Sequence, residues 1–281
     1  MENINSTNSF KPLIAVIVPV YNEHKLIQNA FIKISDEIKK LVYKNLIHNK
    51  SYIGFVDDGS QDKSPEILKK LENKHKNLKT IFLPYNLGHQ KALITGLQNF
   101  NYDIAVTLDL DLQDPPELIE KMIRKYLNGY SIVCGVRKIR IYDNFTNVFF
   151  STFFYALSYI FVNRVFFHHA DFRLLTKDSF NSLTSGIIGQ NLCLRVLIDR
   201  KSPEVDYFFY KRKKRKIKKL KNQGYNFHKR IKLAIYSFFY KEKNVKKFYL
   251  IPILLITGGY IKLGLLSLIN IFFGIYYYKN S

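Results

Sequence analysis

The chain has 281 residues, of which 47% are hydrophobic, and this composition excludes a globally disordered protein. Its formal net charge of +22 requires an anionic neighbour, which could be nucleic acid, an anionic membrane surface or a phosphate-rich substrate. Two cysteines, Cys134 and Cys193, exclude a disulfide framework and suit a reducing cytosol. Residues 1–12 form a polar tail without a basic start and an apolar stretch, so we expect no signal peptide.

The first 137 residues alternate apolar, strand-like runs with segments that carry apolar residues at helical spacing. Strands are predicted over 13–20, 51–56, 78–84, 103–110 and 131–136. Helices are predicted over 23–44, 65–74, 89–99 and 115–128. This alternation predicts βαβ units and a mostly parallel sheet, which is an α/β fold. The dinucleotide fingerprint GxGxxG does not follow the first strand.

Polar residues gather where the predicted strands end. They are Tyr21-Asn22-Glu23, the segment Asp57 to Ser60, the pair Asp109 and Asp111, and Arg137. Ligands of open parallel sheets bind at the carboxyl ends of the strands. The sequence therefore predicts a ligand site at this edge.

The stretch LDLDLQDPPE (108–117) places four carboxylates within ten residues. Asp114, Pro115 and Glu117 resemble the start of a helix, with Asp114 as N-cap and Glu117 closing a capping box. Capping does not explain Asp109 and Asp111, which the strand period places on one face.

Two carboxylates beside the amide oxygen of Gln113 suit a hard divalent cation, Mg²⁺ or Mn²⁺. Such a cation commonly completes its ligand shell with substrate phosphates. The alternative is an acidic, solvated loop. His89 and the pair His168-His169 lack companion ligands at metal spacing, so we interpret them as structural or substrate-contacting.

Six segments of the chain resemble, in order, those of the family 2 glycosyltransferases that load a sugar onto a polyprenyl phosphate. They are VPVYNE (18–23), VDDGSQD (56–62), NLGHQKALITGL (86–97), LDLDLQDPPELIEKM (108–122), GVRKIR (135–140) and ADFRLL (170–175). The segments look like those of the bacterial undecaprenyl-phosphate sugar transferases, with dolichol-phosphate mannose synthase as a eukaryotic cousin. The resemblance spans residues 13–240 and implies a Rossmann-like GT-A fold, a nucleotide-sugar donor and inversion at the anomeric carbon.

The resemblance also assigns residues that bind the nucleotide. They are Pro19, Tyr21, Glu23, Asp57, Asp58, Gly88 and Asp109. Asp57 would reach the base, and Gly88 would let the NLGHQ loop pass close to the donor. Alternatively, Glu23 only begins the next helix, and the two aspartates only shape a Gly-Ser turn.

At the reacting end, the resemblance implies that Asp109 contacts the ribose or the metal, while Asp111 and Gln113 bind the metal that holds the diphosphate. Arg137 and Arg173 would bind the acceptor phosphate, since the arginine fork bonds two phosphate oxygens at once. Asp109, Asp111, Arg137 and Arg173 are the expected catalytic residues. A buried salt bridge, for example of Asp171 with an arginine, is the rival interpretation.

Three positions depart from the family pattern. Leu110 replaces a usually small residue and should point away from the metal. Arg195 lacks the usual acidic residue in the segment before it. The family's Ser-Lys-Tyr is here 223–225, so the phosphate-binding lysine is absent at Gly224, and Lys221 or Lys229 is left to replace it.

Residues after Arg137 indicate a membrane rather than nucleic acid. The basic run 211–221 holds nine basic residues in eleven, and no nucleic-acid-binding motif accompanies it, so we expect it to bind anionic lipid. Residues 148–165 are expected to form an interfacial helix, with a buried core helix as the alternative. Residues 248–278 are the expected membrane anchor, either one tilted span or a re-entrant hairpin.

Together these features predict a GT-A enzyme at the cytoplasmic face of the inner membrane, with undecaprenyl phosphate or a similar lipid as acceptor. A transferase acting on a growing glycan and a non-enzymatic basic binding protein are the alternatives. The sugar, the nucleotide (UDP or GDP) and a homo-oligomeric state are left open.

Overall fold

The computed structural model describes residues 10–137, 169–185, 194, 197–198 and 205–213. The strands are β1 (Ile14–Val20), β2 (Tyr52–Asp57), β3 (Leu78–Phe82), β4 (Ile104–Thr107), β5 (Ile132–Arg137), β6 (His169–Thr176) and β7 (Val205–Tyr210). The helices are α1 (His24–Tyr43), α2 (Ser64–Lys74), α3 (His89–Asn99), α4 (Ile119–Leu127) and α5 (Lys177–Thr184), and a 3₁₀ turn, Pro116–Leu118, precedes α4.

The strands form one sheet in the order β3-β2-β1-β4-β6-β5-β7. β1 pairs in parallel with β2 and β4, and β2 pairs in parallel with β3. β6 is antiparallel to both β4 and β5, and β7 is parallel to β5. Because only β6 runs the other way, its first residues lie at the same edge as the last residues of β1, β2, β4, β5 and β7. This edge collects the predicted site residues.

The sheet is buried on both faces, as the continuous apolar sequence of β1 predicts. Ile14, Val16 and Val18 belong to a core cluster with residues of α1, α2 and α4. Ala15 and Ile17 belong to a second cluster with residues of α3 and α5. Alternate side chains of one strand therefore fix helices on opposite faces of the sheet.

The predicted elements of the first 137 residues are confirmed, with two changes at the acidic stretch. β4 ends at Thr107 rather than at residue 110, and the helix predicted from 115 begins as the 3₁₀ turn. Three further elements, β6, α5 and β7, were not predicted. The sequence of β6 places Asp171 and Arg173 within an apolar run, which breaks the pattern of a buried strand.

Several predictions fall outside the described residues. They concern the interfacial helix 148–165, Arg195, most of the basic run 211–221, Lys221, residues 223–225, Lys229 and the anchor 248–278. Within the described ranges, no helix combines the length and the apolar character that a membrane crossing requires.

Candidate active site

The loops that follow β1 and β2 are hydrogen-bonded to each other. The Asn22 N–H donates to Ser60 Oγ at 2.9 Å, and the Gln61 N–H donates to Asn22 Oδ1 at 2.7 Å. Asp62 Oδ2 lies 2.8 Å from His24 Nδ1 and also accepts the His24 N–H at 3.2 Å. These bonds give the two loops a fixed geometry before any ligand arrives.

The neighbouring aspartates at the end of β2 have different environments. Asp57 Oδ2 accepts the Ser60 N–H at 3.1 Å, whereas no partner for its buried Oδ1 exists in the described part of the chain. Asp58 accepts the N–H groups of Leu87 and Gly88, at 2.7 and 3.0 Å. Burial raises the pKa of both carboxyls, although their hydrogen bonds oppose the shift. Asp58 therefore anchors the NLGHQ loop, and Asp57 keeps an oxygen for a ligand.

Two glycines allow these loops to approach each other. Gly88 precedes α3 with φ 98° and ψ 151°, a conformation that glycine adopts readily and other residues do not. Gly59 has φ 68°, and a Cβ there would lie 2.4 Å from the carbonyl carbon of Tyr85. The backbone at Gly88 thus requires a glycine, while the expectation that this glycine lets the loop pass close to the donor stays a prediction.

The remaining predicted nucleotide residues lie at the end of β1. Pro19 is buried within the strand, and Tyr21 and Glu23 are half-buried in the loop that follows. Glu23 occupies the N-cap position of α1 but makes no side-chain capping bond. The alternative that Glu23 only begins this helix agrees with its place directly before His24.

Asp109 and Asp111 lie in a turn after β4, not on the strand itself. The turn is closed by a hydrogen bond from the Leu112 N–H to the Asp109 carbonyl at 3.2 Å. Leu108, Leu110 and Leu112 are buried in the core, while both aspartates are partly exposed. The leucines thus anchor one side of the segment and leave the carboxylates on the other, as expected for Leu110.

Cationic groups surround Asp109. Its Oδ2 lies 3.7 Å from Arg137 Nη2 and 3.4 Å from Arg212 Nη2, and its Oδ1 lies 3.6 Å from His89 Nε2. Burial raises the pKa of Asp109, His89 and Arg137 oppose this shift, and the nearby Asp171 adds to it. The Asp109 carboxylate is therefore surrounded by nitrogen groups that carry, or can carry, positive charge.

Asp114 does not cap a helix, so that prediction is wrong. The residue is fully buried, and the N-cap position of the 3₁₀ turn belongs to Pro115, without a side-chain capping bond. Asp114 instead accepts from Arg137 Nη2 at 2.9 Å and from the Tyr210 hydroxyl at 2.7 Å. Partners distant in sequence have displaced the local capping pattern.

Glu117 also forms a different contact from the predicted capping box. Its carboxylate is exposed and lies 3.1 Å from Lys213 Nζ. The Lys213 N–H donates to the Gln113 carbonyl at 2.8 Å, and the Gln113 side-chain amide donates to the Lys213 carbonyl at 3.2 Å. The first residues of the basic run therefore bind the acidic stretch.

Arg173 is fully buried on β6, and its Nη2 lies 2.7 Å from Asp171 Oδ1. The rival interpretation, a salt bridge with Asp171, is thus confirmed as a contact. The Nε and Nη1 atoms of Arg173 nevertheless have no hydrogen-bond partner among the described residues. Asp171 Oδ2 also lies 3.4 Å from His89 Nε2, which connects Arg173 to the Asp109 side of the site.

The oxygen atoms at this edge suit a hard divalent cation that takes some of its ligands from the protein and some from a substrate. Asp109 and Asp111 supply carboxylates from one side of the turn, and Gln113 adds an amide oxygen. In the ranges that the structure covers, no group of three or more His, Cys, Asp or Glu side chains could hold a metal ion. Mg²⁺ bound by one or two carboxylates usually completes its shell with waters and substrate phosphate oxygens.

Sequence reasoning missed Arg212, Tyr210 and the buried role of Asp114. Arg212 belongs to a basic run that suggested a solvated, lipid-facing patch. Its contact with Asp109 depends on the unpredicted strand β7, whose parallel pairing with β5 brings residues 211–213 to the site edge. No local sequence pattern predicts the contact between Arg212 and Asp109.

Known proteins that are similar to this chain are glycosyltransferases. Residues 15–253 match the family described as Glycosyl transferase family 2. The uncharacterized glycosyltransferase YkoT of Bacillus subtilis is 34% identical over 202 residues, which are 70% of this chain and 60% of that protein. An undecaprenyl-phosphate 4-deoxy-4-formamido-L-arabinose transferase of Pseudomonas fluorescens is 31% identical over 128 residues, 45% of this chain and 36% of that protein.

The chain thus spans about 60% or less of the length of these curated relatives. Among solved structures, glucosyl-3-phosphoglycerate synthase from Mycobacterium tuberculosis, in complex with Mn²⁺, UDP-glucose and phosphoglyceric acid, gives a TM-score of 0.52 at 17% identity. The alignment covers 74% of this chain and 73% of that one, and it supports the expected GT-A fold. Since the family match covers most of the sequence, the chain belongs to glycosyl transferase family 2.

Proposed function

We propose that this protein transfers a sugar, with inversion, from a nucleotide-sugar donor to a polyprenyl phosphate such as undecaprenyl phosphate. The observation that carries the proposal is the proximity of Arg137 to Asp109, with Arg137 Nη2 3.7 Å from Asp109 Oδ2. An arginine suited to phosphate thus adjoins a carboxylate suited to a metal-bound diphosphate. Several relatives carry the name of an undecaprenyl-phosphate sugar transferase.

The donor nucleoside is assigned to the loops after β1 and β2. Asp57 Oδ1 is buried without a partner in the described ranges, so it is available to accept an N–H from the base. Tyr21 and Glu23 follow β1, whose last residue, Val20, pairs with Asp57, and the hydrogen bond between Asn22 and Ser60 holds their loop in place. The similar synthase of known structure holds UDP-glucose.

The donor diphosphate is assigned to the turn after β4. Asp109, Asp111 and the side-chain oxygen of Gln113 would hold a divalent cation, Mg²⁺ or Mn²⁺. When bound, such a cation supplies positive charge to the departing nucleoside diphosphate. Before the donor binds, Arg137 and Arg212 supply positive charge beside Asp109, and His89 Nε2 lies 3.6 Å from its Oδ1.

The acceptor phosphate is assigned to Arg137 and Arg173. Burial lowers the pKa of Arg137, but the charge and the hydrogen bond of Asp114, with other nearby groups, more than offset this effect. The net pKa is raised, so this guanidinium stays charged. Arg173 brings two buried nitrogens without protein partners in the described residues, and a phosphate would satisfy them. Because a phosphate oxygen is already an anionic nucleophile, these residues need only align and neutralise it, and no general base is required.

The same proposal places the enzyme at the cytoplasmic face of the inner membrane. The basic run 211–221 would bind anionic lipid, and residues 248–278 would anchor the chain. Arg212 and Lys213 are exceptions within that run, since they contact Asp109 and Glu117.

A lipid-labelling assay tests the proposal. Detergent-solubilised protein is incubated with undecaprenyl phosphate and labelled UDP- and GDP-sugars, with and without a chelator, and label is measured in the organic phase. We expect one donor to label the lipid, and chelation or Asp111→Ala to abolish the labelling.

The matched control is Asp36→Ala, which removes an exposed aspartate of α1 that lies 3.8 Å from Lys39. This variant should label lipid like the wild type. Absence of lipid label from every donor would overturn the proposed acceptor. Label that appears instead in a long glycan would favour a transferase that extends polysaccharide.

A further inference from the structure

We propose that Asp114 is a positioning residue that holds the guanidinium groups of Arg137 and Arg212 as a pair for a phosphate or diphosphate ligand. The inference rests on the proposed function, because it names the group that prepares the anion-binding side of the same site. It assigns Arg212 as a second anion-binding arginine beside Arg137.

Asp114 contacts both arginines from the buried side. The carboxylate is fully buried; its Oδ2 lies 2.9 Å from Arg137 Nη2, and its Oδ1 lies 3.2 Å from Arg212 Nε. Arg137 comes from the end of β5 and Arg212 from the segment after β7. The Asp114 carboxylate thus contacts two segments that are distant in sequence. The pairing of β5 with β7 brings these segments near each other.

The same guanidinium groups contact Asp109 on the side of the candidate diphosphate site. Arg212 reaches Asp114 through Nε and Asp109 Oδ2 through Nη2, the latter at 3.4 Å. Arg137 reaches both carboxylates through Nη2, at 2.9 and 3.7 Å. For Arg137, the Asp114 contact is the shorter one and is a hydrogen bond, so Asp109 is the partner that is easier to exchange for a ligand. For Arg212, Nη2 donates to Asp109, whereas the closer approach of Nε to Asp114 is an ion pair without hydrogen-bond geometry.

The carboxylate of Asp114 is itself fixed. The Tyr210 hydroxyl donates to its Oδ1 at 2.7 Å, and the Tyr210 ring packs 5.8 Å from the rings of Phe172 and Phe208. The Lys213 N–H, one residue after Arg212, donates to the Gln113 carbonyl, one residue before Asp114. Rotation of Asp114 away from the arginines would therefore break a buried hydrogen bond.

The contacts with Asp114 order both arginine side chains before an anion binds. Arginine side chains lose rotamer freedom when they bind an anion, and a partner that already orders them removes this cost from the binding step. Asp114 keeps both guanidinium groups beside the site in the absence of ligand. The negative charge of Asp114, however, repels a bound phosphate.

That opposition gives the test a clear sign. If Asp114 were only a nearby negative charge, Asp114→Asn would tighten anion binding. If it positions the arginines, the same change should weaken anion binding, because Arg137 and Arg212 would lose their anchor and pair with Asp109 instead.

The experiment measures binding of inorganic pyrophosphate to the full chain in detergent by calorimetry, with a chelator present so that no divalent cation contributes. We expect Asp114→Asn to raise the pyrophosphate Kd about tenfold. The control, Asp206→Asn, removes a β7 carboxylate that pairs with Lys125, and it should bind as the wild type does. Equal or tighter binding by Asp114→Asn, or no binding by the wild type, would overturn the proposal.

A double-mutant cycle separates positioning from general loss of structure. In an Arg212→Gln background, Asp114→Asn should raise the pyrophosphate Kd by a clearly smaller factor than in the wild type. The same factor in both backgrounds would overturn the role through Arg212. If Asp114→Asn does not fold, Asp114→Glu replaces it, since it keeps the charge and moves the anchor by one methylene; wild-type affinity in that variant would contradict positioning.

Pyrophosphate binding needs neither lipid nor sugar, so the two proposals fail separately. Lipid labelling without a loss of pyrophosphate affinity in Asp114→Asn would leave the proposed function and remove the positioning role. The reverse result would keep the positioning role and remove the polyprenyl acceptor.

Discussion

Gly88 donates its main-chain N–H to the buried carboxylate of Asp58, at 3.0 Å, and this bond fixes the start of α3 against the end of β2. Asp58 also accepts the Leu87 N–H at 2.7 Å. Two consecutive amides of the NLGHQ loop are thus satisfied by one side chain. The loop carries His89, which lies 3.6 Å from Asp109. Asp58 therefore helps to position the loop that brings His89 to Asp109.

Asp58→Ala should destabilise the protein and weaken donor binding together. The change leaves the N–H groups of Leu87 and Gly88 without this acceptor; a fully buried unsatisfied group costs about 1–3 kcal/mol, and these two groups are only partly buried, so each costs less. We expect the free energy of unfolding in urea to fall by about 2 kcal/mol and the nucleotide Kd to rise severalfold. A variant that unfolds earlier but binds nucleotide with wild-type affinity would show that the loop is irrelevant to the donor.

Gly88→Ala should reduce both stability and donor affinity. The φ of 98° and ψ of 151° at Gly88 are unfavourable for alanine, and such strain costs on the order of 1–3 kcal/mol. Relief of the strain would move the loop that Asp58 holds. The measurements are urea unfolding and nucleotide binding by calorimetry.

Gly129→Ala is the matched control for that substitution. Gly129 has φ 100°, so alanine is strained there too, but no atom lies within 4 Å of the added Cβ. The residue follows α4 and lies outside the site. We expect a loss of stability in both variants and a loss of donor affinity in Gly88→Ala alone; equal donor affinities would contradict the role of Gly88.

Arg173→Met should abolish sugar transfer without a large loss of stability. The substitution removes the ion pair with Asp171, but it also removes two buried nitrogens that lack partners within the described ranges. Asp171 is left 20% exposed, with His89 at 3.4 Å. We expect the free energy of unfolding to change by less than about 2 kcal/mol, since these effects oppose each other.

Lipid labelling by Arg173→Met, assayed as for the wild type, should fall by at least about 100-fold, because preorganised charge that aligns and neutralises the acceptor phosphate contributes several kcal/mol in the transition state. The control is Arg124→Met, which removes an exposed arginine that pairs with Glu120. If Arg173→Met retains labelling, Arg173 serves only the buried ion pair.

Features that depend on residues close together in the sequence could be predicted. Contacts between residues that are distant in the sequence could not. The strand β1 and the helix α3 were predicted because apolar periodicity is a local signal. The position of Asp109 and Asp111 at the site edge was also predicted, although the leucines between them, not a strand, orient the carboxylates. Asp114 was misassigned because its capping pattern is local, whereas Tyr210 and Arg212 are nearly one hundred residues away.

The stability of the fold should decline in alkaline solution through buried tyrosines. Tyr52 is 2% exposed and donates its hydroxyl to the Asn101 carbonyl at 2.7 Å. Burial raises the pKa of Tyr52 to about 12, from a usual value near 10, and burial also raises the pKa of Tyr102. Between these values the folded state binds more protons than the unfolded state, so the free energy of unfolding falls as pH rises.

Tyr52→Phe isolates this effect. At pH 8 the variant should be about 1 kcal/mol less stable than the wild type, because it lacks the hydrogen bond to Asn101. From pH 10 to 12 its stability should fall less steeply, by up to about 1.4 kcal/mol per pH unit, since one titrating phenol is gone. Urea unfolding at pH 8, 10 and 11 measures both slopes. Tyr43→Phe, at an 89% exposed tyrosine, should keep the wild-type slope; if Tyr52→Phe keeps it too, the phenol of Tyr52 does not hold its proton in the folded state.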